Sequence, residues 1–265
     1  MALENISNLL WDVQHRGASE VQAGGRALLV GGKVYNALSS IQGRMTARMM
    51  FTFVVPKDAQ NFTRSRNPMI VELVSHHLRH PTPHTVDIFA GYSPIGYELA
   101  QRFPEGQHTD IASTETINEL RRRWERGGIA LPINYQTEAM NYNTTSPDQV
   151  LSLPIDALIM NSSYYNAEDN ITVMRYARSL LRPGGIVMTS IAYEPAIERV
   201  REATRFFESQ IGSFPMRITE DSQLAELLVA AGYHNVCVHR MSDWAEQFGF
   251  QRPILDLELF AIGYA

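Results

Sequence analysis

TVDIFAGYSPIG, residues 85–96, is the stretch on which the fold turns. Thr85 to Ala90 is a short apolar run carrying one acid, Asp87, and reads as a buried strand. Gly91-Tyr92-Ser93-Pro94 then leads into a helix expected over Ile95 to Arg102. Ser93 suits the N-cap, and Pro94 suits the first helical position, where its missing N–H costs nothing. A strand that passes through a glycine turn straight into a helix opens a βα unit.

The same alternation continues to the end of the chain. His108 to Ile111 reads as a second strand, followed by a helix from Thr114 to Arg126 that Gly127-Gly128 ends. A third strand is expected near Ile133 to Tyr135 and a fourth over Ala157 to Met160. A helix from about Glu168 to Leu181 stops at Pro183-Gly184-Gly185, before a fifth strand from Ile186 to Ile191. Ala196 to Gln210 and a segment capped by Thr219 and running to Ala231 read as helices. Asn235 to Arg240 and Leu257 to Gly263 close the chain as strands with no clear helix between them. Strands joined by helices lie parallel and buried on both faces, because each right-handed crossover lays its helix over the sheet. The expectation is an α/β, doubly wound sheet whose ligand lies beyond the carboxyl ends of the strands.

Residues 1–80 differ from the rest. Leu38, Ile41, Met45 and Met49 stand at helical spacing, broken by Gly24-Gly25 and Gly31-Gly32, and Pro81 and Pro83 close the region. This part carries net charge +4 and the remainder −9. An N-terminal helical lid, substrate or dimerisation region (1–80) ahead of a Rossmann-like domain (81–265) follows as the expected division. With a net charge of −5 and no basic run beyond Arg121 to Arg123, nucleic-acid binding is not indicated. No run approaches the roughly 18 apolar residues that a membrane helix needs, and the N-terminus lacks the order of a secretory signal, so a cytoplasmic location is expected. Cys237 is the single cysteine, which excludes an intramolecular disulfide and a cysteine-cluster zinc site; its alternating apolar setting suggests a buried strand residue. His76, His77, His80 and His84 do not have metal-ligand spacing and read as solvated, so no metal is expected.

The chemistry gathers after the strands. Gly91 and Gly96 let backbone and a helix N-terminus approach a nucleotide-like ligand. Asp110, 19 residues after Gly91 at the end of the second strand, is placed to accept hydrogen bonds from both hydroxyls of a ribose. Asn161-Ser162-Ser163-Tyr164-Tyr165 follows the fourth strand, where a substrate would sit.

TVDIFAGYSPIG, HTDIAS at residues 108–113, LRPGGIVMTS at 181–190 and LVAAGYHNVCVHRM at 228–241 together resemble, in order and spacing, the class I S-adenosylmethionine-dependent methyltransferases. The resemblance covers about three quarters of the chain. It implies a seven-stranded Rossmann-like sheet with its last strand antiparallel, S-adenosylmethionine as cofactor and methyl transfer as the activity. It places Asp87, Gly91, Tyr92 and Ser93 in the family's first motif, Asp110 with Ile111 at the ribose, Glu138, Ala139 and Met140 beside the adenine, and Asn161 after the fourth strand. Phe89 and Ser93 stand where the family usually has two further glycines. Asn161 to Tyr164 also resembles the Asn-Pro-Pro-Tyr signature of amino-group methyltransferases, but serines replace both prolines and remove the rigid turn that fixes a planar amine.

Asn161, Ser162, Tyr164 and Tyr35 are the candidates for positioning a substrate, and no general base stands out. Tyr35, Arg64, Arg66 and the Met45, Met49, Met50 group could line a pocket under the lid, or the methionines could form a homodimer contact. The resulting expectation is methyl transfer to a small molecule, most often at oxygen in this family. Three alternatives stand beside it: a non-catalytic scaffold that keeps the fold, an enzyme that uses the sulfonium to assist another natural-product reaction, and a nicotinamide-dependent dehydrogenase, against which the incomplete Gly-rich turn and the antiparallel-looking ending count.

Overall fold

The computed structural model describes residues 57–88, 90, 95–140, 145, 147–152, 154–161, 170–200, 218–249 and 256–265. Tyr35, the methionines at 45, 49 and 50, Phe89, the turn Gly91 to Pro94, and Ser162 to Tyr165 lie outside the described residues.

Seven strands form one sheet in the order β3-β2-β1-β4-β5-β7-β6. They are β1 His84–Ile88, β2 Gln107–Ala112, β3 Tyr135–Ala139, β4 Ile155–Met160, β5 Leu181–Ala192, β6 His234–Arg240 and β7 Glu258–Tyr264. The first five are parallel to one another, and β7 runs antiparallel to both β5 and β6. The central strands consist almost wholly of buried residues, as parallel strands covered on both faces must.

Two helical layers cover the sheet. On one face, Met69, Ile70, Leu73 and Val74 of α1 (Lys57–His77), Ile95 and Leu99 of α2 (Ile95–Arg102), and Met241, Trp244 and Ala245 of α7 (Met241–Phe248) pack on Ala157, Ile159, Met188 and Ile262. On the other, Val173, Met174 and Ala177 of α4 (Asn170–Leu180) and Leu224 and Leu228 of α6 (Asp221–Ala230) pack on Val86, Ile88, Leu158 and Val187. Ile117 and Leu120 of α3 (Thr114–Gly127) form a small cluster with Ala112. A short α5 (Glu194–Ile197) continues as a 3-10 turn, Glu198–Val200, so the helix expected over Ala196 to Gln210 is broken where it is described.

Local chemistry explains most of the boundaries. Ser113 accepts from the Thr116 backbone N–H and caps α3, which ends with Gly128 in the left-handed region at φ 63°. The expected Thr219 cap of α6 is instead Glu220, which forms a reciprocal capping box with Gln223.

Pro183-Gly184-Gly185 does not separate helix from strand; it lies inside β5, where the register shifts and Gly184 takes φ 76°. A Cβ on Gly185 would stand 3.0 Å from the Asp156 carbonyl oxygen, so glycine there serves strand packing. The third strand does not lie at Ile133: that residue is fully exposed, and the polar YQTEA segment pairs with β2 instead. α7 does intervene between the last two strands. Cys237 is only half-buried, because β6 is the outermost strand and pairs on one side. His77 is not a solvated residue. Its Nδ1 lies 2.9 Å from the Tyr264 hydroxyl, in a ring cluster with Trp244 and His239, and His80 falls beyond the end of α1. No helix among the described residues is long and apolar enough to cross a membrane.

Candidate functional site

Chain order along the sheet reverses between β1 and β4: the chain steps outward through β2 and β3 on one side and through β4 and β5 on the other. A crevice beyond the carboxyl ends of the strands opens at such a switch point. Asp87 lies next to the end of β1, and Asn161 directly follows β4.

Alternation along the strands sends Asp87, Asp110 and Ile159 to the α1–α2 face, while Val86, Ile88 and Ile111 go to the other. Asp87 and Asp110 are paired neighbours in the β1–β2 register and therefore stand side by side. Both are enclosed, with 2% and 0% of their surfaces exposed. Among the described residues neither Asp87 oxygen has a hydrogen-bond partner, nor does Asp110 Oδ1. The remaining oxygen, Asp110 Oδ2, accepts a 2.6 Å hydrogen bond from the Tyr135 hydroxyl on β3.

Two neighbouring buried carboxyls disfavour each other's ionised forms. Burial and the charge of Asp110 push Asp87 well above the usual carboxylate range, partly opposed by the Arg66 guanidinium. Burial pushes Asp110 up to about 7, against the pull of the Tyr135 hydroxyl and the Gly96 amide. Tyr135 is driven upward in turn by burial and by the Asp110 charge, so its hydroxyl stays protonated and donates to Asp110 Oδ2. Such shifts concentrate at functional sites.

Gly96, in the first turn of α2, is the close-approach glycine of this arrangement. A Cβ there would overlap Asp110 Oδ1, stand 2.7 Å from its Cγ and 3.0 Å from Tyr135 Cε2. The absent side chain makes room for the Asp110–Tyr135 pair. The Tyr135 ring is held edge-on between Tyr97 of α2 and Trp124 of α3, with centroids 6.0 and 5.7 Å away.

The other candidates flank this centre. Asn161 Oδ1 accepts from the Ser190 hydroxyl at 3.0 Å, joining the end of β4 to β5. Arg66 of α1 binds Glu258 of β7 in a two-pronged ion pair at 2.6 to 3.0 Å, which ties α1 to the sheet. Glu138 and Ala139 belong to β3 itself and not to a loop after it; Glu138 pairs with Ile111, Ala139 is exposed, and Met140 is buried in the core. Among the described residues no group of three or more His, Cys, Asp or Glu lies close enough together to hold a metal.

Asp87, Asp110, Arg66 and Asn161 are thus brought to one face and one end of the sheet. Glu138 and Ile111 share the opposite face. Tyr135 and Ser190 escaped sequence reasoning as site residues. Tyr135 stood at the edge of an expected apolar strand, and only the corrected register of β3 puts its ring beside Asp110.

Solved structures share this architecture. The plantazolicin methyltransferase BamL, in complex with a triazolic desmethylPZN analogue and SAH, superposes with a TM-score of 0.61 over 97% of this chain and 98% of its own, at 13% identity. The chain has the fold of the class I S-adenosylmethionine-dependent methyltransferases. An O-methyltransferase family protein from Burkholderia thailandensis matches this methyltransferase fold with a TM-score of 0.51 over 99% of this chain and 71% of its own, at 12% identity. The S-adenosylmethionine-dependent methyltransferase SibL, in its apo form, gives 0.52 over 87% of this chain at 15% identity, and the chain spans 61% of the length of SibL. No protein-family model and no curated protein matches the sequence.

Proposed function

We propose that this chain binds S-adenosylmethionine and transfers its methyl group to a small-molecule acceptor, with oxygen as the receiving atom, in the cytoplasm. The observation that carries the reading is the buried, largely unpartnered carboxyl pair Asp87–Asp110 at the switch point of a class I methyltransferase sheet. An enclosed carboxylate without a partner is costly, and a bound cationic ligand offsets that cost.

S-adenosylmethionine is such a ligand: its ammonium and sulfonium groups are cationic, its ribose offers two hydroxyl donors, and when bound it supplies an electrophilic methyl group. Asp87, whose two oxygens accept no hydrogen bond from the described residues, would hold the ammonium end. Asp110 would receive the ribose hydroxyls through Oδ1, with Ile111 beside it. Gly91, Tyr92 and Ser93 would form the turn over the cofactor, and Glu138, Ala139 and Met140 would flank the adenine.

Methyl transfer asks the protein chiefly to align a nucleophile and to exclude water. Asn161, held by Ser190, would orient the acceptor through its side-chain amide, with Ser162 and Tyr164 after it. Tyr35 and the residues ahead of α1 would close over the site as a lid, while α1 stays anchored to the sheet through Arg66 and Glu258.

The test incubates purified protein with S-adenosylmethionine carrying a labelled methyl group and a panel of phenol, alcohol, carboxylate and amine acceptors. Label passing to a hydroxyl acceptor, and lost in Asp110→Ala, is the expected result. Binding without transfer to any acceptor would favour the scaffold role, and transfer confined to amines would overturn the choice of oxygen.

A further inference from the structure

We propose that Tyr135 is a positioning residue for the cofactor: its hydroxyl holds Asp110 in the orientation and ionised form that receives the ribose, and so sets the pH above which the nucleoside binds. This rests on the reading of Asp110 as the ribose-binding acid.

Tyr135 pairs with His108 in the β2–β3 register, and its ring reaches along the sheet face to Asp110, two residues further on. The hydroxyl donates to Oδ2 at 2.6 Å. Tyr97 and Trp124 confine the ring edge-on, and Gly96 leaves the gap through which ring and carboxyl meet. With Oδ2 engaged, Oδ1 is left enclosed against the amino end of α2, beside the Gly96 amide but in no hydrogen bond among the described residues. A carboxylate whose one oxygen is fixed by a donor keeps the other as a pure acceptor, as two ribose hydroxyls require. Protonated, the same carboxyl would have to spend one oxygen as a donor.

Among the described residues, the groups around Asp110 come from β1, β2, β3, α1, α2 and α3. Asp87 on β1 opposes ionisation, while Arg66 on α1 acts electrostatically on Asp87. α2 contributes the Gly96 amide and the Tyr97 ring, and β3 contributes Tyr135. α3 contributes Trp124, with Arg121 bound to Thr137. On β2 itself, His108 is occupied by Thr85 at 2.7 Å. Within this set, the Tyr135 hydroxyl and the Gly96 amide are what favour the charged form of Asp110, so removing the hydroxyl raises its pKa further.

S-adenosylhomocysteine is titrated into the full-length protein by calorimetry, from mildly acidic to mildly basic pH, with wild type and with Tyr135→Phe, which keeps the packed ring. The wild type should tighten as pH rises through neutrality. Tyr135→Phe should bind about tenfold more weakly at neutral pH, with its profile moved up by about one pH unit and the two curves converging at high pH. Superimposed profiles, or an equal loss at every pH, would overturn the proposal, because a merely structural role shifts no midpoint. If Tyr135→Phe fails to fold, Asp110→Asn decides: it retains an acceptor for Tyr135 but cannot ionise, so its binding should be weak and flat with pH, and a wild-type-like profile would overturn the proposal. Absence of binding by the wild type at every pH would overturn the underlying reading, an outcome in which Tyr135→Phe plays no part.

Discussion

Gly96→Ala is the substitution that most sharply probes the centre of the site. In an ordinary first helical turn it would help, since alanine in place of glycine lowers the entropy lost on folding and gains roughly 0.5–1 kcal/mol. Here the added methyl would overlap Asp110 Oδ1 and lie 2.7 Å from Cγ and 3.0 Å from Tyr135 Cε2. Asp110 cannot retreat, because β2 is hydrogen-bonded to β1 on one side and β3 on the other. Tyr135 cannot swing away, because Tyr97 and Trp124 hold it. Overpacking of this kind costs about 1–3 kcal/mol, and a rigid neighbour on both sides puts this site at the upper end. After the helical gain is subtracted, the net loss should be about 2 kcal/mol, read as a lower urea midpoint at unchanged slope. Asp110→Ala removes the obstructing carboxyl, so Gly96→Ala made in that background should cost at least 1 kcal/mol less, a coupling that a double-mutant cycle measures. A stabilised Gly96→Ala protein, or a cycle with no coupling, would refute the placement of Asp110 against α2.

Leu158→Ala, in central strand β4 and wholly buried, should cost about 3 kcal/mol by urea denaturation. Arg66→Ala should cost about 2 kcal/mol, because it leaves Glu258 half-enclosed without its two-pronged partner; thermal melting of the single and double Arg66 and Glu258 variants reads the pair. Asp110 has a folded pKa raised from 3.8 to about 7, so the folded protein keeps a proton that the unfolded chain releases. Its contribution is complete below the unfolded value and is lost as pH rises through the folded one, so the melting temperature of Asp110→Asn relative to wild type should climb over that interval. His239 runs the opposite way: burial, then His77 and His76, lower it from 6.5 to about 4. Its contribution is full above the unfolded value and is lost as pH falls toward 4, and His239→Gln should blunt that acid loss in a melting series.

The parallel core was legible because its elements are both apolar and punctuated. α2 occupies Ile95–Arg102 as expected, and β1, β2 and β4 differ from expectation by one or two residues at their ends. The edges were not legible for the opposite reason. An edge strand needs only one partner and half a core, so YQTEA forms β3 while the more apolar Ile129, Leu131 and Ile133 stay exposed ahead of it. Pro-Gly-Gly is ordinarily a helix stop, and only the close approach of Gly185 to the β4 carbonyls turns it into the opening of a strand. α7 is eight residues long with a weak cap, and its stability comes from Trp244 and Met241 packing on α1, which no local pattern records. At the site, Asp87 and Asp110 could be named from spacing alone. That they touch the same face, and that Tyr135 holds one of them, depends on register, which a single sequence does not carry.

Calorimetric titration of S-adenosylmethionine tests most directly whether the Asp87–Asp110 pair is a cofactor site. The wild-type protein should bind one equivalent, with Asp110→Ala sharply weaker and Asp87→Asn weaker as well. No binding by the wild type, or affinity unchanged in Asp110→Ala, would contradict that role.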